Sequence, residues 1–489
     1  MKRMLLVYLI MSCCATFITP LFPLYSEHYQ MNSLQITILF AVYAAILLPT
    51  LLVVGAKGSA WGLKRVLRCS IWISIASTLL FLGSFDVWML YAARILEGIA
   101  YGSFTGTAAA FLIKQISPNK VSTAIKLSGA TILIGFGLGP AITGLILQYL
   151  HLQPLRVPFW FLLVMLITSL VILETLPKHE DSLMQKPVKT KISLGVPNSI
   201  RSHFWSFAAL PIFTVFTIQG IALSLIPSFV RNVIHTSNLA FSGIIILLLL
   251  GGGALAQFVP WPSHPVSRMR FGILLLAIGS WGIVFAGLTA NLLWVWASIF
   301  IQAIGGGWTF QVALRFASQL PKPEERPRVI SAFYLCAYSG FIIPPIGVGV
   351  LTQFFSLNFS LIILNLFAAL IVIYVLIYSV KFNRYYSKVT VEETQVKNEK
   401  TLLSREAAAS FETEPGTETS NQRKTLSYDE KNADFDFRKA IQEIKRGTLH
   451  PKASLEHGDR IINDREFREV LSALIKNGKI LEADEPMDD

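Results

Sequence analysis

One carboxylate and one guanidinium lie in the middle of a segment that is otherwise largely apolar. Arg94 and Glu97 fall within residues 87–112, directly after Asp86. Glu97 is about ten residues into that segment, or about 15 Å along a helix at 1.5 Å per residue. A spacing of three residues places the two side chains on nearly the same helical face. An acid at this depth is a candidate for proton transfer or ligand contact, because a charge in an apolar interior is costly unless it is paired.

Two opposing effects act on Glu97. Burial disfavours the ionised carboxylate, whereas the neighbouring Arg94 favours it, and this competition could make a proton switch. The alternative is a satisfied pair that only locks the helix. Arg94 could also hold an anionic substrate. We therefore treat Glu97 and Arg94 as candidates for proton coupling or substrate contact.

Other polar or amphipathic side chains inside apolar segments are candidates to line a transport path: Tyr101, Gln219, Gln302, Trp308 and Gln311. No catalytic set accompanies them. The eight histidines lie in loops, at segment ends or in the C-terminal tail, and no phosphate-binding loop or nucleophile elbow occurs. We therefore expect no enzyme activity, no catalytic residues, no cofactor and no metal site.

The elements that must position these residues are long apolar segments. Hydrophobic residues make up 53% of the 489 residues and charged residues only 15%, where a soluble domain has roughly 25% charged residues. Crossing a bilayer takes about 20 apolar residues, and twelve such segments can be placed, near 4–25, 33–55, 67–85, 87–112, 122–149, 156–176, 204–230, 236–260, 270–290, 291–317, 328–353 and 357–380. The composition excludes a soluble fold for these residues and predicts transmembrane helices, since backbone groups in lipid must bond internally.

The basic residues predict how these helices are oriented. Residues 1–380 carry 23 Lys+Arg and only 8 Asp+Glu. If the N-terminus is cytoplasmic, 20 of those 23 lie at cytoplasmic ends, and only Arg156 and Arg231 lie at the other side. We therefore expect a multi-pass protein of the plasma membrane, in a bacterial inner membrane, with both termini cytoplasmic. The net charge of +12 is a topology signal and gives no reason to expect nucleic-acid binding.

The sequence also repeats itself at an offset of 205 residues. Residues of like type or size then align: Asp86 with Asn291, Glu97 with Gln302, Gly102 with Gly307, Phe111 with Phe316, Gly135 with Gly340, Pro140 with Pro345 and Gly144 with Gly349. Two six-helix halves in parallel repeat are typical of a transporter whose central site lies between them. The predicted fold class is an all-α membrane protein of two pseudo-symmetric six-helix bundles, with a largely disordered or short-helical cytoplasmic tail.

These motifs resemble those of the major facilitator superfamily. Residues 135–144, with Gly135, Gly139, Pro140 and Gly144, are similar to the "motif C" of its antiporters, G-x-x-x-G-P-x-x-G-G, although Thr143 replaces one glycine. Arg94-x-x-Glu97-Gly98 is similar to its R-x-x-Q-G motif, with Glu for Gln. The loop over residues 55–65 lacks the acidic residue of "motif A". The resemblance implies an antiporter. Pro140 removes a helical hydrogen bond and favours a kink, so this glycine-lined helix could serve as a hinge or seal, or its glycines could only allow close packing.

The predicted boundaries follow from these patterns. We expect an N-terminal half over 1–176, a cytoplasmic linker over 177–203, a C-terminal half over 204–380, a disordered linker over 381–433 and a short amphipathic helical tail over 434–489. Two short helices are too little for an independent core. They could dock on the transporter or on a cytoplasmic protein partner.

The expected function is proton-coupled efflux of a small organic molecule by a monomer in the lipid bilayer. One alternative keeps the fold but imports an organic acid or a metal chelate, with Arg94 as the anion contact. A further alternative is a non-transporting receptor or scaffold that acts through its tail.

Overall fold

The structure is a computed structural model of the chain, and it describes residues 1–116, 121–150, 152–176, 195–235, 238–259, 261–322, 325–412, 426–428, 455–457 and 460–462. It divides into two units, Met1–Phe382 and Asn383–Asp489. The first unit contains the helical bundle that positions the candidate site. The helices bury continuous apolar surface against one another, as their composition predicts.

Fourteen α-helices are described, with these bounds: α1 Lys2–Thr16, α2 Phe22–His28, α3 Ser33–Trp61, α4 Leu63–Leu82, α5 Val87–Lys114, α6 Val121–Tyr149, α7 Val157–Glu174, α8 Arg201–Phe204, α9 Leu210–Asn232, α10 Leu239–Ala256, α11 Pro265–Thr289, α12 Leu292–Gln319, α13 Arg326–Leu351 and α14 Leu357–Glu412. A 3₁₀ turn over Thr19–Leu21 joins α1 to α2, and a π-helical turn over Trp205–Ala209 joins α8 to α9. Each of these joined pairs therefore forms one span.

Among the described residues, eleven helices are long and apolar enough to cross a membrane. These correspond to eleven of the twelve predicted segments, and the predicted all-α fold class of the membrane body is confirmed. The remaining segment is α5, which has 28 residues and is long enough to cross. Its composition is more polar because it carries Arg94, Glu97 and several small residues.

The predicted repeat is visible in the helices themselves. α5 and α12 are both 28 residues long, and each is capped by its preceding residue, Asp86 or Asn291, whose side chain accepts a backbone N–H bond. α5 packs between α3 and α4, and α12 packs between α10 and α11. In the same way α1 packs on α6, and α9 packs on α13. The two halves therefore place equivalent helices in equivalent positions.

Two helix pairs join the halves, α6 with α10 and α3 with α13. We call the side of the bundle where α1 begins the N-terminal face, and the side where α2, α6, α9 and α13 end the opposite face. Near the opposite face Arg231 Nη2 lies 2.5 Å from Glu27 Oε1, and Gln148 Oε1 accepts a 3.0 Å bond from the backbone N–H of Leu239. Both contacts cross between the halves, so the halves meet at the opposite face.

The packing of α6 differs along its length. At Gly144, near the opposite face, an added Cβ would lie 2.8 Å from the carbonyl oxygen of Leu239. At Gly129, toward the N-terminal face, no atom of the described residues lies within 4 Å of that position. α6 is therefore packed tightly against the other half at one end and is free of such contact around Gly129.

The C-terminal region is described only in part. α14 continues to Glu412, whereas the sequence predicts a disordered linker from residue 381. Three short strands follow, β1 Leu426–Tyr428, β2 Leu455–His457 and β3 Arg460–Ile462, in the order β1-β2-β3. β1 pairs parallel with β2, and β2 pairs antiparallel with β3. The predicted linker over 177–203 and the predicted tail helices lie mostly or wholly outside the described residues, and the domain boundaries remain a prediction.

Candidate functional site

The buried ion pair that the sequence predicts is present on α5. Arg94 Nη1 donates to Glu97 Oε2 over 2.6 Å. Arg94 is 1% exposed and Glu97 is 3% exposed. These two residues form the salt bridge that is buried furthest from solvent among those of the described chain, since the members of the other pairs are more exposed. The site therefore has a charged pair with almost no access to bulk water.

Arg94 is held by α3 as well as by Glu97. Its Nε donates to the carbonyl oxygen of Leu39 over 3.2 Å, and its Nη2 donates to that of Phe40 over 3.4 Å. Its guanidinium carbon lies 4.5 Å from the centre of the Tyr43 ring, a cation–π contact. Each of its three nitrogens thus already has a partner, and three of its five N–H groups are in use.

Glycines on α5 allow α3 to come this close. At Gly98 an added Cβ would lie 2.7 Å from the carbonyl oxygen of Tyr43, and at Gly102 it would lie 2.6 Å from that of Leu47. Small residues at four-residue spacing on one helix permit such a close approach of a neighbouring helix. These glycines bring the α3 backbone within reach of the Arg94 guanidinium.

Three buried tyrosines, two of them near the pair, were not singled out from the sequence. The hydroxyls of Tyr8, Tyr25 and Tyr43 have no hydrogen-bond partner among the described residues. Tyr25 and Tyr43 are near enough to Glu97 and Arg94 to interact with them electrostatically. A buried hydroxyl without a partner carries a desolvation cost. These groups are therefore suited to meet a proton, a water molecule or a polar ligand atom.

Tyr101 connects the pair to the centre of the bundle. Its hydroxyl lies 3.1 Å from the Ser12 hydroxyl on α1. Its ring lies 6.4 Å from that of Tyr43 and 5.4 Å from that of Phe136, between ring centres. Of the predicted path-lining residues, Tyr101 is the one that the structure brings closest to Arg94 and Glu97, by way of Tyr43.

Aromatic rings from the other half reach the same region. Phe40, whose carbonyl binds Arg94, stacks on Phe341 of α13 with 4.8 Å between ring centres. Phe341 in turn contacts Phe216 of α9 and Tyr338. We call Phe40, Tyr43, Tyr101, Phe216, Tyr338 and Phe341 the central aromatic cluster. It lies between the halves and touches the ion pair.

Gln302 occupies the position on α12 that Glu97 has on α5. It is 2% exposed and lines a cavity of about 20 Å³ within the second half, together with Asn365 and Ser280. A volume of that size, with polar groups on its wall, is enough for one water molecule. Gln219 is half-buried on α9. The structure brings neither glutamine next to Arg94 and Glu97.

Trp308 and Gln311 bind the chain that follows α10. Trp308 Nε1 donates to the carbonyl oxygen of Ala256 over 2.9 Å. Gln311 Nε2 donates to that of Gln257 over 3.0 Å, while its Oε1 accepts a 2.8 Å bond from Arg268. The hydrogen-bonding groups of both side chains are thus occupied by the end of α10, by Gln257 after it and by Arg268 of α11. The structure does not bring them to the ion pair either.

The glycines of the antiporter-like motif place α6 against both halves. An added Cβ on Gly135 would lie 2.6 Å from the Ser12 Cβ of α1, and one on Gly139 would overlap the carbonyl oxygen of Cys13. On the other side Gly144 meets α10, and the carbonyl oxygen of Pro140 lies against Gly243 of α10. α6 is therefore packed tightly against helices of its own half and of the other half, as a hinge or seal requires.

A hydroxyl on α1 compensates for the proline of this helix. Pro140 has no backbone N–H, so the carbonyl oxygen of Phe136, four residues earlier, loses its helical donor. The Thr16 hydroxyl donates to that oxygen over 2.9 Å. Sequence reasoning identified Pro140 but missed Thr16, because nothing in the sequence tells which neighbouring helix supplies the donor.

No group of three or more His, Cys, Asp or Glu side chains that could hold a metal ion occurs in the described part of the chain. The arrangement that remains is a buried acid–base pair, unpartnered tyrosine hydroxyls and a contact between two halves. Such a site can bind and release a proton or a small ligand. A change in the charge of the ion pair can then affect the packing between the two halves.

The chain is similar to known membrane transporters. Residues 4–343 match the family model of the Major Facilitator Superfamily, and a second, overlapping match covers residues 268–411. The MFS-type transporter YybF of Bacillus subtilis is 22% identical over 242 residues, which is 48% of this chain and 53% of that protein. An MFS-type transporter of Methanocaldococcus jannaschii is 25% identical over 146 residues, which is 30% of this chain and 37% of that protein. These alignments thus leave much of each relative's length unmatched.

Solved transporter structures share the fold. A bacterial homologue of the human lysosomal transporter Spinster, inward-facing and unoccupied, has a TM-score of 0.60 at 15% identity and covers 78% of this chain and 97% of that chain. A POT family transporter in complex with 5-aminolevulinic acid has a TM-score of 0.62 at 14% identity, over 78% and 96% of the two chains. The nucleoside transporter NupG has a TM-score of 0.61 at 11% identity, over 77% and 98%. At these identities the likeness concerns the fold alone.

Proposed function

Because this chain belongs to the Major Facilitator Superfamily, we propose that it exports a small organic molecule in exchange for protons by alternating access. It is a multi-pass membrane protein with a transporter fold. The observation that carries the proposal is the Arg94–Glu97 pair, which is buried inside the bundle and touches the central aromatic cluster. A titratable acid at that place is where proton binding and ligand binding can compete.

Protonation of Glu97 would act on the contact between the halves through Arg94. A neutral carboxyl no longer forms an ion pair across the 2.6 Å contact with Arg94 Nη1. Arg94 is also bonded to the carbonyl of Phe40, and the Phe40 ring stacks on Phe341 in the other half. Two contacts thus separate the proton site from the interface between the halves. This short path supports coupling of protonation to rocking of one half against the other.

The contacts of Arg94 favour this proposal over import of an organic acid or a metal chelate. That rival needs the guanidinium to bind the substrate anion. Its Nε, Nη1 and Nη2 groups are already directed at Leu39, Glu97 and Phe40. Three of its five N–H groups are therefore in use, and the side chain is 1% exposed and paired with Glu97, so an anion would have to reach a buried guanidinium whose charge is already compensated. Export as the direction is supported by the resemblance of residues 135–144 to the antiporter motif.

We place the N-terminal face in the cytoplasm of a cell whose plasma membrane holds the protein. Basic residues support this orientation, since Lys64, Arg65 and Arg68 follow one another at the start of α4 on that face. In this orientation the contacts between Glu27 and Arg231 and between Gln148 and Leu239 close the outer side. Substrate would enter from the cytoplasmic side.

Everted and right-side-out membrane vesicles test the direction. With an imposed proton gradient, everted vesicles that contain the protein should accumulate its substrate from a panel of organic compounds, because their outer surface is the cytoplasmic one. Right-side-out vesicles with an inward proton gradient should lose preloaded substrate. Accumulation of substrate in right-side-out vesicles under the inward proton gradient would contradict export and favour the importer.

A further inference from the structure

We propose that the N-terminal face carries a binding site for an anionic phospholipid, formed by α3, α4 and α5. A pocket of about 220 Å³ lies there and is open to the surface. Its walls are formed by side chains of the three helices: Val54, Trp61, Arg65, Val66, Cys69, Ser70, Ile73 and Ser103. This site is separate from the proposed transport path and does not depend on the proposed function.

The charge of Arg65 is the first reason for an anionic occupant. Three basic residues lie at the start of α4, and two of them are engaged by the end of α7. Lys64 Nζ donates to the carbonyl oxygen of Leu176 over 2.6 Å and lies 3.7 Å from Glu174 Oε2. Arg68 forms a two-pronged salt bridge with Glu174.

Arg65 lies between those two residues in sequence but has a different environment. It makes no ion pair and no side-chain hydrogen bond within the described part of the chain. Its side chain is exposed, and the residue lines the pocket. A guanidinium binds phosphate through paired, parallel hydrogen bonds. Arg65 therefore supplies a positive charge that no described acidic residue pairs with, and its guanidinium has the right chemistry for a phosphate headgroup.

The walls of the pocket are the second reason, because they select an amphiphile over a free anion. Val54, Val66 and Ile73 make most of the wall apolar. The volume is several times the roughly 30 Å³ that one water molecule takes up in the liquid. Inorganic phosphate would leave this apolar wall hydrated, whereas an acyl chain would cover it. A phospholipid matches both the basic side chain and the apolar wall, with its phosphate at Arg65 and the start of an acyl chain in the pocket.

The position of the pocket is the third reason. Trp61, at the end of α3, is 46% exposed, and an exposed tryptophan at a helix end is typical of the membrane interface. Basic pockets between transmembrane helices on one side of the membrane are suited to phosphorylated lipid headgroups. The pocket therefore lies where a lipid of the adjacent leaflet can enter from the side.

Native mass spectrometry of the delipidated full-length protein tests the proposal. We would add phosphatidylglycerol, phosphatidylcholine or inorganic phosphate, and compare wild type, Arg65→Gln and Arg3→Gln. Arg3 is exposed near the same face and does not line the pocket, so its substitution removes the same charge without touching the site. Arg65→Gln should weaken phosphatidylglycerol binding about fivefold, which corresponds to about 1 kcal/mol for one basic side chain at an anionic lipid.

Alkylation of Cys69 gives a second readout in the unmodified protein. Cys69 is exposed and lines the pocket, whereas Cys13 and Cys14 are buried. Phosphatidylglycerol should slow its reaction with N-ethylmaleimide in wild type, read by peptide mapping, and should not slow it in Arg65→Gln. Phosphatidylcholine and inorganic phosphate should protect weakly or not at all.

Three results would overturn the proposal. Equal phosphatidylglycerol binding by Arg65→Gln and Arg3→Gln would show that the lipid binds by general surface charge. Protection of Cys69 by inorganic phosphate alone would show a simple anion site. Undiminished Cys69 alkylation in wild type at saturating phosphatidylglycerol would show that the pocket does not take up lipid, whatever the folding of the variants.

Discussion

Arg94 makes hydrogen bonds to three groups and contacts one ring, whereas Glu97 Oε2 is bonded to Arg94. Removing the cation therefore leaves a buried carboxylate without its partner. Arg94→Met should lower the unfolding free energy by about 3–5 kcal/mol, the usual cost of breaking a buried ion pair. In the double variant with Glu97→Met no unpaired charge remains, and most of that loss should be recovered.

The measurement is the thermal unfolding midpoint of the purified protein in detergent, for wild type, both single variants and the double variant. The double variant should lie closer to wild type than Arg94→Met does. If the double variant unfolds at a lower temperature than Arg94→Met, the pair is not the interaction that stabilises this region.

Thr16 gives a second prediction at the scale of single residues. Thr16→Val keeps the shape of the side chain but removes the donor to the carbonyl oxygen of Phe136. A buried carbonyl left unsatisfied costs about 1–3 kcal/mol. Thr168→Val is the matched control, because Thr168 is exposed and bonds only within its own helix, to the carbonyl of Val164. Unfolding midpoints that shift equally in both variants would contradict the role of Thr16.

At the scale of single residues, the sequence predicted those site residues that a charge deep inside an apolar segment identifies. Arg94 and Glu97 stand out because ionisable residues are expensive inside an apolar segment. Tyr8, Tyr25 and Thr16 do not stand out, since a lone hydroxyl in a membrane helix is common and inexpensive to place. Their importance comes from what faces them across a helix interface, and the sequence does not contain that information directly. The placing of Trp308 and Gln311 against a loop could not be foreseen for the same reason.

Among the helices, α6 packs on both halves, on α1 of its own half and on α10 of the other. Gly139 lies directly against the backbone of α1, with no room for a methyl group beside the carbonyl of Cys13. Gly139→Ala should therefore push α1 and α6 apart and lower both the unfolding midpoint and the transport rate. Gly129→Ala is the control on the same helix, where no atom of the described chain lies within 4 Å.

Gly129→Ala should leave the stability unchanged or raise it by up to about 1 kcal/mol, because alanine is a better helix former than glycine. The two variants would be compared by thermal unfolding and by substrate exchange in proteoliposomes. An equal effect of the two substitutions would mean that helix propensity, and not close approach, explains the glycines of α6.

Helix α5 shows why the apolar content of a segment does not by itself identify every membrane-spanning helix. It is as long as α12, yet it is not among the eleven helices that meet a length and hydropathy criterion. The polar pair and small residues that lower its hydropathy are buried by α3 and its neighbours. The sequence placed a span over 87–112 by its length and apolar residues, and the repeat at 205 residues pairs it with α12.

At the scale of the whole molecule, the ion pair between Glu27 and Arg231 links the two halves at the opposite face. The side chains are 60% and 31% exposed, so the pair should contribute no more than about 1 kcal/mol. Glu27→Gln should therefore open that face only modestly, and the charge-swapped Glu27→Arg, Arg231→Glu variant should restore closure.

Distances between spin labels on Phe85 and Phe354 measure this opening, because both residues are strongly exposed and lie in different halves at the opposite face. Glu27→Gln should increase the population with the longer distance, and the swapped variant should return it toward that of wild type. An unchanged distance distribution in Glu27→Gln would mean that the pair does not hold the halves together.

The sequence predicted the arrangement of the helices better than the conformational state, in which the opposite face is closed. Spans, repeat and the division into halves follow from periodicity and composition, which depend on local residues. Closure at the opposite face depends on which residues of two distant halves meet, such as Gln148 with Leu239 and Glu27 with Arg231. Alternative states of one sequence share the same local pattern, so the pattern cannot choose between them.

Proton movement by Glu97→Gln in proteoliposomes is the most direct test of the central claim, that Glu97 couples proton binding to transport. Asp86→Asn is the matched control on the same helix, since asparagine already caps the equivalent helix at Asn291. We predict that Glu97→Gln still exchanges substrate for substrate but no longer moves protons or uses a proton gradient. Asp86→Asn should still move protons and use the proton gradient. Proton-driven transport at the wild-type rate by Glu97→Gln would contradict the account.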